Sequence, residues 1–592
     1  MSEHSEKVAA DRKILTSAQQ KGGLAVAGAY VRLSGPGWLQ SAITLGAGSL
    51  TSALYLGVLG GTSVLWVQLL AIAIGVIMLY AISYVTLSTG ERPYQAINEH
   101  INPVLGVGWI TATILANMIW IMPQFSLCFD VLDKNLGGSY IESSANGAVP
   151  WPEIIVTGVL FALATAMILL STKPGLLTRL FDLFLKLMVA IIVVCFVGVV
   201  VYLVTQGQLS GNDFRGFVPD FSSWLSPKIT DLINSLPADQ QKDWTEKISV
   251  IQTNTMISAA ATAVGINMTF LLPYSMLNRG WDKPFRGLAR FDLITGMAIP
   301  YLLVTSCIVI ASAYSFHAKA DENLLSSDPA IVQESTFFKG VAAKGDGAAP
   351  LAIGEMSLAE IDKLPETTEA EKQAKADAKS ARLEKLAHYV STLAPEEREL
   401  YVALVQPNTG QLSQALAPLL GDRNANLVFG IGALGMGFSS VVILMMINGF
   451  ALREMLGKPD SQMVGIVGAL LAGVIGLTWP WVWSGVSKTW MIILASTFGV
   501  MLLPIAYVTF FAMMNSRSLL GDNKPTGMRM VIWNVLMAIG VLAATLAAVS
   551  SIYQKTKEPH SEFVIGAAAT FVLLAIIGFS ARSWKKNGRE SA

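Results

Sequence analysis

The stretch GPGWLQSAITLGAGSLTSALYLG, Gly35 to Gly57, lies inside 58 residues between Arg32 and Glu91 that contain no Asp, Glu, Lys, Arg or His. Such a run is long enough for membrane crossing, yet it places Gly46, Ala47, Gly48 and Ser49 in the middle of its first membrane-length segment. Glycine weakens a helix interior by about 1 kcal/mol relative to alanine. In lipid every backbone N–H and C=O must be paired within the protein, so helix-weakening sequence at that depth marks a cavity or a packed neighbour. The four residues therefore predict a break in a transmembrane helix.

Working outward, 53% hydrophobic and 14% charged residues over 592 positions exclude an ordinary soluble chain. A helix needs about 20 mainly apolar residues to cross the hydrocarbon core. Twelve segments qualify, at 36–58, 62–87, 104–130, 153–171, 180–205, 251–277, 291–315, 426–452, 462–483, 489–514, 528–550 and 563–581. The polar N-terminus, residues 1–35, has no apolar core before a cleavage site and is not expected to be a signal peptide. Cys128, Cys195 and Cys307 all fall inside spans, where they read as small packing residues rather than disulfide or metal partners.

Lys and Arg concentrate in alternate short loops: Arg92, Lys173, Arg179, Arg279, Lys283, Arg286, Arg290, Arg453, Lys458, Arg517, Lys524 and the basic tail 582–592 share a side with the N-terminus. By the positive-inside rule both termini are expected in the cytoplasm of a multi-pass protein of the cell (inner) membrane. Residues 206–250 and the polar insertion 316–425 then lie outside. Within the insertion, TTEAEKQAKADAKSARLEKLAHYV reads as an exposed helix.

A second break is expected in span six, VGINMTFLLPYSMLNRG, where Pro273 removes a backbone donor and Thr269 precedes the bulky Phe270. Spans one and six open two sets of five, 36–205 and the set beginning at 251, and inverted-repeat transporters carry their discontinuous helices in those places. Substrate is expected between the breaks, near Gly46, Ala47, Gly48, Ser49, Asn267, Thr269 and Phe270, with Gln124 and Ser496 as polar neighbours. Other pattern matches are set aside. The G-x-G-x-x-G match at Gly430–Gly435 has no preceding strand, and the triplet Asn267-Met268-Thr269 lies too deep for glycosylation. His4, His100, His317, His388 and His560 all sit in loops or tails, so no histidine relay crosses the spans. No catalytic constellation, nucleotide loop or nucleic-acid-binding signature appears, and no cofactor is implied. Membrane lipid and a small solute or ion are the expected partners.

The residues Gly35-Pro36-Gly37-Trp38-Leu39, Ser41, the four-residue break, Leu50, Leu54, Gly57 and Leu65-Trp66-Val67 resemble the opening of the NRAMP family of divalent-metal transporters. TRLFDLFLKLMVAIIVVCF resembles its fifth helix, GIGALGMGFSSVVILMMINGF its eighth, and LASTFGVMLLPIAYVTFFAMMNSRSLLGD its tenth. The resemblance implies an all-α integral membrane protein with a LeuT-like five-plus-five inverted repeat and two further C-terminal helices. It covers nearly all the spans and leaves out 316–425.

The family's binding residues are absent. Gly46-Ala47-Gly48-Ser49 stands where NRAMP proteins carry Asp-Pro-Gly-Asn, and Thr269-Phe270-Leu271 aligns with their Met-Pro-His. Ser496 and Phe438 stand at two family glutamines, and Gln124 and Ser126 lie where the third helix is expected to be acidic. Carboxylates normally offset the cost of dehydrating a divalent cation. Three readings follow: a metal carrier (Mn, Fe or Mg) using Ser49, Thr269 and backbone carbonyls near Gly46; a carrier of a neutral, zwitterionic or anionic solute such as an amino or organic acid; or a membrane sensor or scaffold. Site chemistry favours the second and the resemblance the first. Asp182 and Lys186, one turn apart on span five, are expected to pair, as a structural or gating element.

Overall fold

The structure is a computed structural model. It describes the chain except residues 1–2, 138–149, 172–175, 221–222, 350–354, 363, 365–367, 408–409, 412, 414–416, 418–420, 483–487, 556–564, 567–568, 571 and 581–592, and except some further side chains, Asp182 among them.

Among the described residues there are helices and no strands, as the membrane demands of a non-barrel protein. Ten apolar runs are long enough to cross a bilayer, the first joining two expected spans through the turn at Gly61–Val64. The expected span 563–581 falls partly outside the described residues, with 572–580 helical. The fold is the all-helical, integral-membrane type with interrupted first and sixth spans.

The principal helices, numbered in chain order, are α1 (Glu3–Lys21), α2 (Gly23–Leu33), α3 (Pro36–Thr44), α4 (Ala47–Gly60), α5 (Leu65–Thr89) and α6 (Pro103–Val131). They continue with α7 (Trp151–Ser171), α8 (Leu176–Thr205), α9 (Ala238–Ala263) and α10 (Ile266–Asn278). Then α11 runs from Arg286–Leu293 through a π-helical turn, Ile294–Ala298, into Ile299–Phe316. The last four are α12 (Asp422–Met455), α13 (Gln462–Gly476), α14 (Lys488–Asn515) and α15 (Met528–Lys555).

Both breaks exist, and both are displaced from their sequence-based positions. The first separates α3 from α4 at Leu45 and Gly46; Ala47, Gly48 and Ser49 already form the first turn of α4. The second separates α9 from α10 at Val264 and Gly265, whose backbones are extended. Pro273 lies inside α10 and does not interrupt it. An interior proline loses one hydrogen bond and crowds the carbonyl four residues before it, a cost that local adjustment and neighbouring helices can absorb in a membrane bundle.

The expected exposed helix in the insertion spans Glu369–Thr392, capped by Thr368 and Glu371. It is not solvated all round, because Leu386, Ala387 and Val390 are buried. The insertion is joined to the bundle through Tyr55 of α4, whose hydroxyl donates to the Leu404 carbonyl at 3.1 Å.

Candidate functional site

A helix break orphans backbone groups, and the partners they find here define the site. In an unbroken helix Ala42 O would accept from Gly46 N. Instead Ala42 O receives the hydroxyls of Ser439 and Ser440 on α12, at 2.9 and 3.1 Å. Gly46 N donates to Ser49 Oγ at 3.1 Å, and Ser49 Oγ donates to Thr44 O at 2.6 Å. Ala47 N donates to Gln124 Oε1 of α6 at 2.9 Å. Two neighbouring helices, α12 and α6, together with Ser49 of the broken span itself, thus hold the interruption open.

The second break is held by a sulfur. Gly265 N lies 3.4 Å from Met268 Sδ, and Thr44 Oγ1 of α3 lies 3.6 Å from the same atom. Gln40 of α3 donates to Met268 O at 3.1 Å, and Asn267 Oδ1 accepts from Met268 N at 2.9 Å. Met268 therefore ties the two breaks together.

Between them lies a cavity of about 40 Å³ lined by Ile43, Thr44, Gly46, Gly48, Ser49, Trp120, Gln124, Ala261, Thr262, Gly265, Asn267, Met268 and Leu444. Among the described residues no Asp, Glu, His, Lys or Arg lines it. The Trp120 ring closes over Gly48 so tightly that a Cβ there would stand 2.6 Å from the indole. Among the described residues no cluster of three His, Cys, Asp or Glu is placed to hold a metal.

Of the residues singled out in the sequence, Gly46, Gly48, Ser49, Gln124 and Asn267 line this cavity, and Ala47 does not, its amide being bonded to Gln124. Thr269, Phe270 and Ser496 do not line it. Thr269 Oγ1 bonds to Ile266 O at 2.5 Å and accepts from Trp109 Nε1 at 3.0 Å. Phe270 is fully buried, stacked on Tyr274 and tilted against Trp109. Both were expected at the break, and the break sits a turn earlier. Ser496 is buried within α14. The methionine is the converse case: the alignment leaves no thioether at the site, and Met268 supplies one.

At the end of the bundle carrying α1 and α2, the fully buried Asp292 of α11 receives Gly35 N at 3.0 Å and Gly37 N at 2.6 Å, so it caps half-helix α3. The Arg279 guanidinium lies against Gly35, and Arg279 and Lys186 both act electrostatically on the carboxylate. Lys186 Nζ also donates to Ser34 O at 3.1 Å. Its expected partner Asp182 lies outside the described side chains. At the same end Arg92 pairs with Glu454, which also accepts from Tyr274 Oη at 3.2 Å. Asp292 and Glu454 went unnoticed in the sequence; the available signal was a carboxylate at the edge of an apolar span, in Asp292 two residues after Arg290.

At the opposite end His317, just beyond α11, joins α4 to the 206–237 segment. Its Nδ1 faces Val58 O at 2.8 Å, and its Nε2 faces Ser226 Oγ at 2.9 Å. Burial, together with nearby Lys228 and Lys319, pushes its pKa down to about 4.

Comparison with known proteins places this geometry. No curated protein matches the chain. Two crystal structures of mutants of the Eremococcus coleocola manganese transporter superpose with TM-scores of 0.59 and 0.58, at 12% and 13% identity. Each comparison covers 94% of this chain and 96% of the other. At that identity the likeness speaks for fold. The sequence matches the family described as natural resistance-associated macrophage protein-like over residues 37–331 and 399–550. With matches covering most of the chain, this protein belongs to the Nramp family.

Proposed function

We propose that the protein is a secondary transporter that carries a small divalent metal cation by alternating access between the two helix breaks. The Met268 thioether, set among the hydroxyl and amide groups of a small cavity that Ile43, Trp120, Ala261 and Leu444 also line, is the observation that carries this reading. Thioethers favour the softer first-row metals over Mg²⁺. Volume points the same way. At about 10–15 Å³ per water, the cavity has room for roughly three water-sized groups, enough for an ion with part of its shell. The manganese transporter among the structural relatives adds support for metal as cargo. Thr44, Ser49, Gln124, Asn267 and Met268 are the proposed ligands. Because no carboxylate offsets dehydration, the ion is expected to bind weakly and to retain water.

One observation favours a second reading, transport of a neutral or zwitterionic solute: the lining carries no formal charge. Either cargo would have to displace bonds already made: the amides of Gly46 and Ala47 that a substrate carboxylate would use are engaged by Ser49 and Gln124, and those two side chains would have to turn from the amides to hold a metal. The loop lysines and arginines support placing both termini in the cytoplasm and the insertion outside the cell membrane.

The test is uptake into proteoliposomes of Mn²⁺, Cd²⁺ and Mg²⁺, each with the native protein and Met268→Leu. Metal uptake is expected, with Cd²⁺ reduced more than Mg²⁺ by the substitution. Absence of metal uptake alongside counterflow of an amino or organic acid would transfer the assignment to the second reading. Absence of any uptake would leave the sensor or scaffold.

A further inference from the structure

Helix α2 is 11 residues, about 16 Å at 1.5 Å per residue, too short to span a bilayer. It carries apolar residues on two faces. One face is used: Ala29 and Leu33 are buried, Tyr30 packs on Phe291 of α11 with ring centroids 5.4 Å apart, and the Tyr30 hydroxyl sits over Gly287. The other is not. Leu24, Ala27, Gly28 and Val31 recur at i, i+3, i+4 and i+7, and all are exposed, Leu24 to 94% and Val31 to 63%.

The surroundings of this second stripe are basic. Exposed Lys21 and Arg32 bracket it, and exposed Lys283 and Arg290 lie on the adjoining segment. Gly23–Leu33 contains no acidic residue, and Asp282 nearby is paired with Arg12. An apolar stripe with cations at its ends matches the boundary between headgroups and acyl chains in an anionic leaflet. The stripe enters the acyl region and the long cationic side chains reach the phosphates.

We infer that α2 is an interfacial helix whose Leu24–Val31 stripe lies in an anionic lipid surface and moors half-helix α3 to it. The mooring is short. Ser34 N donates to Tyr30 O at 2.9 Å, closing α2, and the next residue, Gly35, is already held by Asp292. Any outward swing of α3 must drag α2 along or bend this single joint. The inference concerns the lipid surface and stands whatever the cargo.

Nitroxide labels on Leu24→Cys and Val31→Cys test it in full-length protein whose three native cysteines are replaced, reconstituted in phosphatidylcholine vesicles with and without phosphatidylglycerol. Gln20→Cys on α1 serves as the aqueous control. Both stripe positions are expected to collide more with oxygen than with an aqueous nickel chelate, the control the reverse, and the contrast to grow with phosphatidylglycerol. Three outcomes overturn the inference: nickel dominating at both positions, no dependence on phosphatidylglycerol, or shielding from both reagents with dipolar broadening, which would assign the stripe to a second copy of the chain.

Discussion

Asp292 Oδ2 lies 2.6 Å from Gly37 N, across 255 residues of sequence, and the same carboxylate takes Gly35 N. Gly37 has to be glycine for this contact, because a Cβ there would stand 2.0 Å from Asp292 O. A carboxylate at a helix N-terminus satisfies orphan amides and complements the helix dipole. Here the helix is one half of a broken span, so the contact is a clasp on α3.

Asp292→Asn removes the charge and turns one acceptor into a donor facing an amide. Hydrogen bonds to charged groups contribute about 1.5–3 kcal/mol each, so the variant is expected to lose about 2–3 kcal/mol of stability. It is also expected to hold α3 open longer. Thermal unfolding reads the first effect, and thiol labelling of Ile43→Cys in the cavity reads the second. An unchanged melting temperature with unchanged labelling would remove the clasp from the account.

Asn117 of α6 is fully buried, and neither of its amide atoms has a partner among the described residues. It lies on the same helical face as Gln124, seven residues on, and so just below the first break. Leaving a buried polar group unsatisfied costs about 1–3 kcal/mol. Asn117→Leu, of similar volume, is therefore expected to raise the melting temperature. If the amide is kept for a conformation in which it is hydrated or bonded, uptake in the same variant falls. A destabilised variant would show that Asn117 is satisfied where it stands.

His317 sets a pH dependence with a definite sign. Its pKa of about 4 in the folded chain lies below the ordinary 6.5, so between those values the unfolded chain binds the proton and the folded chain does not. Its contribution is complete above pH 6.5 and is lost as pH falls toward 4, amounting to about 3 kcal/mol over that window at 1.36 kcal/mol per unit. His317→Gln keeps a donor for Val58 O and an acceptor for Ser226. Unfolding midpoints measured from pH 4 to 7 should fall less steeply for this variant than for the native chain. Parallel curves would contradict the assignment.

Much of the architecture is readable from the sequence, because the hydrocarbon core enforces long uncharged runs. A gap in helical propensity inside such a run, as at Gly46, marks either a cavity or a closely packed neighbour. Finer placement fails where propensity and packing disagree. Pro273 carries the strongest breaking signal in span six, yet α10 runs through it, while the unremarked pair Val264 and Gly265 unwinds. That shift moves Thr269 and Phe270 about one turn away from the cavity and brings Met268 into it. Each residue turns a helix by about 100°, so a displacement of even one residue changes which side chain faces the cavity. Asp292 escapes notice because its role depends on Gly35 and Gly37, which no local pattern links to it.

Ala42 O, Gly46 N and Ala47 N at the first interruption are taken up by Ser439, Ser440, Ser49 and Gln124. Anything that binds there through the same atoms must first displace these contacts, so the protein competes with its own ligand, and the strength of that competition sets the affinity.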